Sequence, residues 1–253
     1  MKEKIEAKRL DIQGDVETVE EKKSKEKKFG QNINEYLRER GIEAPPISIH
    51  IFYSGHSYGG DLRGFYELFK AADIVIPEAF GWKEKNLKDY RDVASGKMNK
   101  DVITYLPSEV PNISFDREFL MTLYGTNKKI VLIDAPRESK MIDDVNDFDR
   151  ENKSFIRSLG AKNVEETIAQ FRELEIRKAR VVVSVRDEYM LEQLGLKTAD
   201  LLNENPELLK KDKLSVLLIL GATHTGVYHE LKARERLEAS VSRSFRDVPQ
   251  LYH

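Results

Sequence analysis

The side chains in this sequence that are best suited to chemistry are two histidines and a glutamate. His56, Glu78 and His224 each come shortly after a run of β-branched, aliphatic or aromatic residues that predicts a β-strand. These runs are residues 47–53, 73–77 and 214–220. Two imidazole nitrogens and a carboxylate are a common ligand set for a divalent metal ion. An open coordination position would hold a water molecule for activation. The sequence therefore predicts a metal site formed by His56, Glu78 and His224.

The elements that must position these side chains begin with the stretch from Ile47 to Glu78. It predicts a strand, a turn at Ser54-Gly55, a helix and a second strand. Such a unit implies two paired parallel strands with a helical crossover. The carboxyl ends of parallel strands share one edge of the sheet, where ligands bind. We therefore expect an α/β fold with a mostly parallel central sheet flanked by helices, and an active site at the carboxyl edge.

Two further stretches leave alternatives open. A strand-like run at 129–135 ends in Asp134 and Arg137, which either join the site edge, pair with each other or cap the next helix. In residues 180–194 the β-branched RVVVSV favours a strand, whereas the part from Arg186 onward favours a helix.

Helices are also expected at residues 61–72, 84–96, 116–124, 163–178, 198–211 and 227–237, followed by a polar tail. His229 falls on the last of these helices, where a surface or packing role is expected.

Composition limits the classes of function. The 253 residues favour a charged amino-terminal arm at 1–30 and a single α/β domain at 31–253. The net charge of −2 gives no general attraction to nucleic acid or to an anionic membrane. The absence of cysteine excludes disulfides and thiolate chemistry and fits a reducing compartment. No apolar run is long enough to span a bilayer. We expect a cytoplasmic protein, and an oligomer is compatible with the sequence.

Four short motifs occur in order along the chain. They are SGH at residues 54–56, IVIPE at 74–78, RDEYM at 186–190 and LILGATH at 218–224. In order and placement they resemble the TraB/Tiki/erythromycin-esterase-like superfamily over residues 47–237. GATH matches the second GxxH motif of that family, and RDEYM is similar to its ERDxYM helix segment. Tyr53 stands where the first GxxH motif has its glycine, and Val185 stands where an acidic residue would precede Arg186.

The resemblance implies an α/β fold with an active site built from His56, Glu78, Arg186 and His224. Members of the Tiki branch resemble metal-dependent proteases that use Co²⁺ or Mn²⁺, and the erythromycin-esterase branch hydrolyses a lactone. It thus implies a metal-dependent hydrolase of a peptide or small-molecule ester, with Mn²⁺ or Co²⁺ favoured over Zn²⁺ and Arg186 stabilising the oxyanion. One alternative is a metal-free version with a histidine as general base. Another is a non-catalytic protein that binds metal, haem or peptide, since the ChaN branch binds haem.

A rival motif is the sequence GHSYG at residues 55–59, which fits the G-x-S-x-G nucleophile elbow of serine hydrolases. Ser57, Asp187 and His224 occur in the chain order of such a triad. Against this hypothesis, residues 1–46 supply none of the strands that normally precede the elbow. No HGGG-type oxyanion loop lies upstream, and Asp187 is more easily placed on a helix than after a strand.

Overall fold

The computed structural model describes residues 33–54, 63–103, 117–158, 164–221, 223–233 and 239–245. Its centre is a five-stranded sheet in which every pairing is parallel. The strands are β1 (Ile47–Ser54), β2 (Ile74–Pro77), β3 (Lys129–Ile130), β4 (Leu214–Gly221) and β5 (Ala239–Phe245). Helices flank the sheet on both faces. The prediction of an α/β fold with a mostly parallel central sheet is confirmed.

The order of the strands differs from the expected one. They are arranged β3-β2-β4-β1-β5, so β4 lies between β1 and β2. Ile47 pairs with Leu214 of β4, and Ile74 pairs with Val216 on the other side of the same strand. The prediction that β1 and β2 pair directly is therefore wrong. The strand with the longest apolar run takes the centre of the sheet, because a central strand is covered on both faces and along both edges.

Helices cover both faces of the sheet and bury alternate residues of each strand. On one face, Ile49 of β1 and Leu218 of β4 belong to a core that includes Met190 and Leu194. On the other face, the core includes Phe52 of β1 and aromatic residues from several helices. The helices of the first face are α1 (Ile33–Glu39), α8 (Val185–Glu204) and α9 (Thr225–Ala233). Those of the second are α2 (Arg63–Ala71), α3 (Glu84–Ala94), the single turn α4 (Lys100–Ile103) and α5 (Arg117–Leu123).

The segment with ambiguous propensity is helical throughout. Residues Ala179–Ser184 form a π-helical segment that leads directly into α8, so RVVVSV forms no strand. Before it come α6 (Lys140–Ser158) and α7 (Val164–Lys178). The helix expected at 198–211 is instead the end of α8 followed by a 3₁₀ segment, Pro206–Lys210. The β propensity of the valines therefore does not decide the structure of this segment.

Two strand predictions also change at the edges of the sheet. The run at 129–135 pairs as a strand only at Lys129–Ile130, although the amide of Val131 still donates to Val75. The expected polar tail contains β5, which pairs with β1 from Ala239 to Phe245. None of the helices among the described residues is sufficiently long and apolar to cross a membrane.

Candidate functional site

The candidate site is a cluster of ionisable side chains at the carboxyl edge of the sheet. Glu78 follows β2, Asp134 follows β3 by a few residues, and His224 follows β4. Arg186 and Asp187 lie in the first turn of α8. All five are buried, and among the described residues they are the only buried side chains of the Asp, Glu, His, Lys and Arg types. Burying a charged side chain costs free energy unless the charge is paired. The contacts among these five side chains must therefore offset the cost of burying them.

Arg186 joins two of the carboxylates. Its Nη2 atom donates to Oε1 of Glu78 at 2.6 Å, and its Nε atom donates to Oδ1 of Asp134 at 2.9 Å. Nη2 also donates to Oδ2 of Asp134, so this ion pair is bidentate. The guanidinium carbon lies 4.5 Å from the centre of the Phe80 ring. The planar fork is thus fixed by two carboxylates and an aromatic face, an arrangement that lysine could not reproduce.

The backbone also holds the two carboxylates that Arg186 bridges. The amide of Gly221, at the end of β4, donates to Oε2 of Glu78 at 2.5 Å. The amide of Ala135 donates to Oδ1 of Asp134 at 2.8 Å. Each carboxylate therefore accepts hydrogen bonds from a backbone N–H as well as from the guanidinium.

His224 is oriented by a second acid. Its Nδ1 atom lies 2.5 Å from Oδ1 of Asp187, and its Nε2 atom lies 3.4 Å from Oε1 of Glu78. The backbone carbonyl of His224 accepts a hydrogen bond from the hydroxyl of Tyr53 at 3.1 Å. The imidazole is therefore held by Asp187 on one side, while its second nitrogen faces the Glu78 carboxylate.

This arrangement changes the pKa of both facing groups. Burial alone would raise the pKa of Glu78, but the hydrogen bond with His224 and the charge of Arg186 outweigh it and lower the pKa to about 2. Burial alone would lower the pKa of His224, but hydrogen bonding to Asp187 and Glu78 raises it to about 9. For Arg186, burial would lower the pKa, and the two carboxylates raise it. At neutral pH Glu78, Arg186 and His224 are therefore all charged.

Gly226 allows Asp187 to reach the histidine. A Cβ atom at Gly226 would overlap Oδ2 of Asp187, so a larger residue there would displace the carboxylate. The close approach depends on the missing side chain, because φ at Gly226 lies outside the left-handed region. The contact thus requires a glycine two residues after His224, in the first turn of α9.

The structure brings together three of the four predicted site residues, Glu78, Arg186 and His224. The fourth, His56, lies outside the described residues, as does Ser57 of the rival triad. Asp134 joins the cluster, whereas Arg137 is exposed and Arg186 is the ion-pair partner of Asp134. The sequence pattern gives Asp187 a role only in the serine triad, although Asp187 is the residue that orients His224. It lies on a helix, as expected, yet it still contacts the imidazole.

A divalent metal ion is the cofactor that the sequence predicts, and the described residues allow a partial test. Among them, no group of three or more His, Asp or Glu side chains is arranged to hold a metal ion. The pair of Glu78 and His224 nevertheless fits as two of the ligands. Nε2 of His224 and Oε1 of Glu78 are 3.4 Å apart, which is close enough for both to bind one divalent ion. The charge also fits, since the buried cluster carries three carboxylates and one guanidinium.

Comparisons of this chain with protein-family models, with curated proteins and with solved structures find no match. The resemblance to the TraB/Tiki/erythromycin-esterase-like superfamily therefore stays a prediction from its motifs.

Proposed function

We propose that the protein is a hydrolase that activates a water molecule beside Glu78 and His224, with a divalent metal ion as cofactor. The expected substrate is a peptide or a small-molecule ester. The observation that carries this proposal is the orientation of His224. Its Nδ1 atom is engaged by Asp187, and its Nε2 atom is directed at Glu78 across 3.4 Å. A carboxylate–histidine pair of this kind supports both histidine ligands of metals and histidine general bases.

The other residues have distinct parts in this proposal. Asp187 fixes the ring of His224, and Arg186 with Gly221 fixes the carboxylate of Glu78. The Nη1 atom of Arg186 donates to no oxygen of the described residues. It is the donor that could hold a developing oxyanion, while Nε and Nη2 keep the guanidinium in place. Arg186 would thus both support Glu78 and stabilise negative charge on the substrate.

The charge of the cluster favours a cation over a metal-free general base. With a pKa of about 9, His224 is protonated at neutral pH when no metal is bound, and a protonated imidazole cannot accept a proton. With a neutral His224, three carboxylates face one guanidinium and the cluster has a surplus of two negative charges. A divalent cation on Glu78 and His224 would balance that surplus and would acidify a water molecule in an open position. His56 is the candidate third ligand from the sequence.

A serine hydrolase is the second candidate, because one observation favours it. The contact between Asp187 and Nδ1 of His224 is the acid–base half of a Ser-His-Asp triad. In that mechanism Ser57 would attack the substrate carbonyl and His224 would take its proton. Asp187 lies on a helix and not after a strand, which still favours the metal hypothesis.

Metal binding gives the first test. The chain would be treated with a chelator, dialysed and titrated with Mn²⁺ or Co²⁺ by calorimetry, with the visible spectrum of Co²⁺ as a second readout. Glu78→Gln and His224→Gln should each weaken binding at least about tenfold, because each removes a ligand. His229→Gln is the matched control, since His229 is exposed on α9. Equal binding by all four proteins would refute the proposed site.

Hydrolysis of a panel of esters and peptides gives the second test and separates the two mechanisms. With a metal-bound water, His56→Ala and chelation should both abolish turnover, and Ser57→Ala should leave most of it. A serine triad predicts loss with Ser57→Ala, resistance to chelation and covalent labelling of Ser57 by a fluorophosphonate. If metal binds but no substrate is hydrolysed, the alternative of a non-catalytic binding protein is favoured instead.

A further inference from the structure

Exposed apolar side chains are concentrated in one part of the molecule. Among the described residues, eight large apolar side chains are at least 42% exposed. Six of them lie between residues 156 and 185: Ile156, Val164, Ile168, Phe171, Ile176 and Val185. This stretch comprises the end of α6, the whole of α7 and the π-helical segment. We call the pair of helices α6 and α7 the arm. A concentration of exposed apolar area of this kind marks an interaction surface.

Helix α7 has little cover from its own subunit. None of its fifteen residues is buried. Its contacts with α6 include a perpendicular ring pair between Phe155 and Phe171, with centroids 4.9 Å apart, and an ion pair between Glu151 and Arg177. An open cleft of about 510 Å³ lies beside these contacts. Since most helical stability in proteins comes from packing, an uncovered helix of this length calls for a partner.

The exposed face of α7 is a regular stripe. Val164, Ile168 and Phe171 follow i, i+4, i+7 spacing, so they lie on one side of the helix. Ionic residues are distributed unevenly along the same helix. Glu165 and Glu166 lie in its first turn, and Arg177 and Lys178 lie in its last. The helix therefore has an apolar face with an acidic end and a basic end.

We propose that α7 is a dimerisation helix, which packs antiparallel against α7 of a second copy of this chain around a twofold axis near Phe171. A helix with one acidic and one basic end complements itself in that orientation, because Glu165 of each copy then lies beside Lys178 of the other. A parallel pair would place like charges together. A twofold interface uses the same patch on both subunits, so a single self-complementary helix is sufficient to form it.

The charge of α7 argues against other occupants. Its four glutamates, two arginines and one lysine give a slightly negative helix. Such a helix has no attraction for an anionic membrane or for nucleic acid, both of which select basic surfaces. A second copy of α7 has the required charge pattern, because its basic end can lie beside the acidic end of the first.

Disulfide trapping can test the orientation directly, because the chain contains no cysteine. Phe171→Cys lies near the proposed axis and should form a cross-linked dimer on mild oxidation. Val164→Cys lies seven residues away, about 10 Å along the helix, so its two copies would be about 20 Å apart and should not cross-link. Mixing Val164→Cys with Lys178→Cys should give the mixed dimer. Cross-linking of Val164→Cys with itself would indicate a parallel pair and would overturn the proposal.

Sedimentation measures the strength of association. Ile168→Asp should raise the dimer dissociation constant by about a hundredfold, because two apolar side chains per dimer are replaced by charges. Val102→Asp is the control, since Val102 is 46% exposed but lies in α4, outside the arm. It should leave the constant unchanged.

A charge exchange keeps the test independent of any effect on folding. Glu165→Lys and Lys178→Glu should each weaken the dimer, and the double variant should restore it. Circular dichroism would confirm that each variant keeps its helix content. A chain that stays monomeric at all accessible concentrations, or a double variant that is no better than the single ones, would overturn the proposal.

Discussion

Stability should fall on the alkaline side because of His224. The pKa of this imidazole is about 9 in the folded chain, against an ordinary value of 6.5. A group whose pKa is raised by folding contributes its full stabilisation below its unfolded pKa, and loses it as the pH rises through the folded pKa. The stabilisation should therefore be complete below pH 6.5 and lost as the pH rises through about 9.

The size of the effect follows from the same two values. The difference between them corresponds to on the order of 3 kcal/mol of unfolding free energy, since one pKa unit is about 1.4 kcal/mol. The imidazole is almost completely buried, so solvent screening reduces this contribution to the unfolding free energy only slightly. Stability should also decline at acidic pH because of Glu78, whose pKa in the folded chain is about 2. The stabilisation from Glu78 is lost as the pH decreases from 4.5 towards that value. The two contributions share one contact and are not additive. Maximal stability is expected between about pH 4.5 and 6.5.

Urea denaturation at a series of pH values would measure this profile, with a chelator present so that only the protein's own groups titrate. His224→Gln should be less stable at pH 6 and should lose much of the decline between pH 6 and pH 10. His229→Gln, which changes an exposed imidazole on α9, should keep the wild-type profile. A wild-type chain whose stability is constant from pH 6 to pH 10 would refute the assignment of a raised pKa. So would an unchanged decline in His224→Gln.

Substitutions at two further positions, Arg186 and Gly226, test the contacts around the cluster. Arg186→Met should lower the unfolding free energy by about 3–5 kcal/mol, because it leaves two buried carboxylates without their shared cation, and Arg186→Lys should recover only part of this loss. Urea denaturation measures both, and a loss below about 1 kcal/mol in Arg186→Met would contradict the buried ion network. Gly226→Ala should displace the Asp187 carboxylate and lower the pKa of His224, measured by NMR of the ring. Gly64→Ala, where a Cβ meets no atom within 4 Å, is its control, and an unchanged pKa in Gly226→Ala would show that the glycine is not needed.

The sequence predicts most of the sheet because its central strands have a strong apolar signal. Residues 214–220 form a continuous apolar run apart from Ser215, as expected for a strand covered on both faces, and this run forms β4. The pairing of β1 with β2 was wrong because consecutive strands are adjacent only as a tendency, and β4 displaces them. β5 was missed because an edge strand with the sequence ASVSRSF carries serines at alternate positions. Among them, Ser242 and Ser244 flank the imidazole of His50.

The functional side chains that follow strands could be predicted from the sequence, whereas the role of one on a helix could not. Glu78 and His224 follow apolar strands, so their meeting at one edge follows from the parallel sheet. The role of Asp187 depends on which way a helical side chain points, and on a glycine in another helix that gives it space. Single-sequence patterns contain neither kind of information. The π-helical segment before α8 is a similar case, since its valines favour a strand although the segment is continuous with the helix.

The order of the strands also affects how the chain folds while it is being made. β1 and β2 are made well before β4, yet they do not pair with each other. β2 can pair with β3 before β4 is made, whereas β1 must wait for β4, whose last residue is Gly221. Until then β1 has no partner on either edge, because β5 is synthesised later still. Sheets that depend on such distant pairings fold slowly and expose apolar strands while they do so. The centre of this sheet therefore forms only after the residues up to Gly221 have been made, so the nascent chain must keep β1 from aggregating until then.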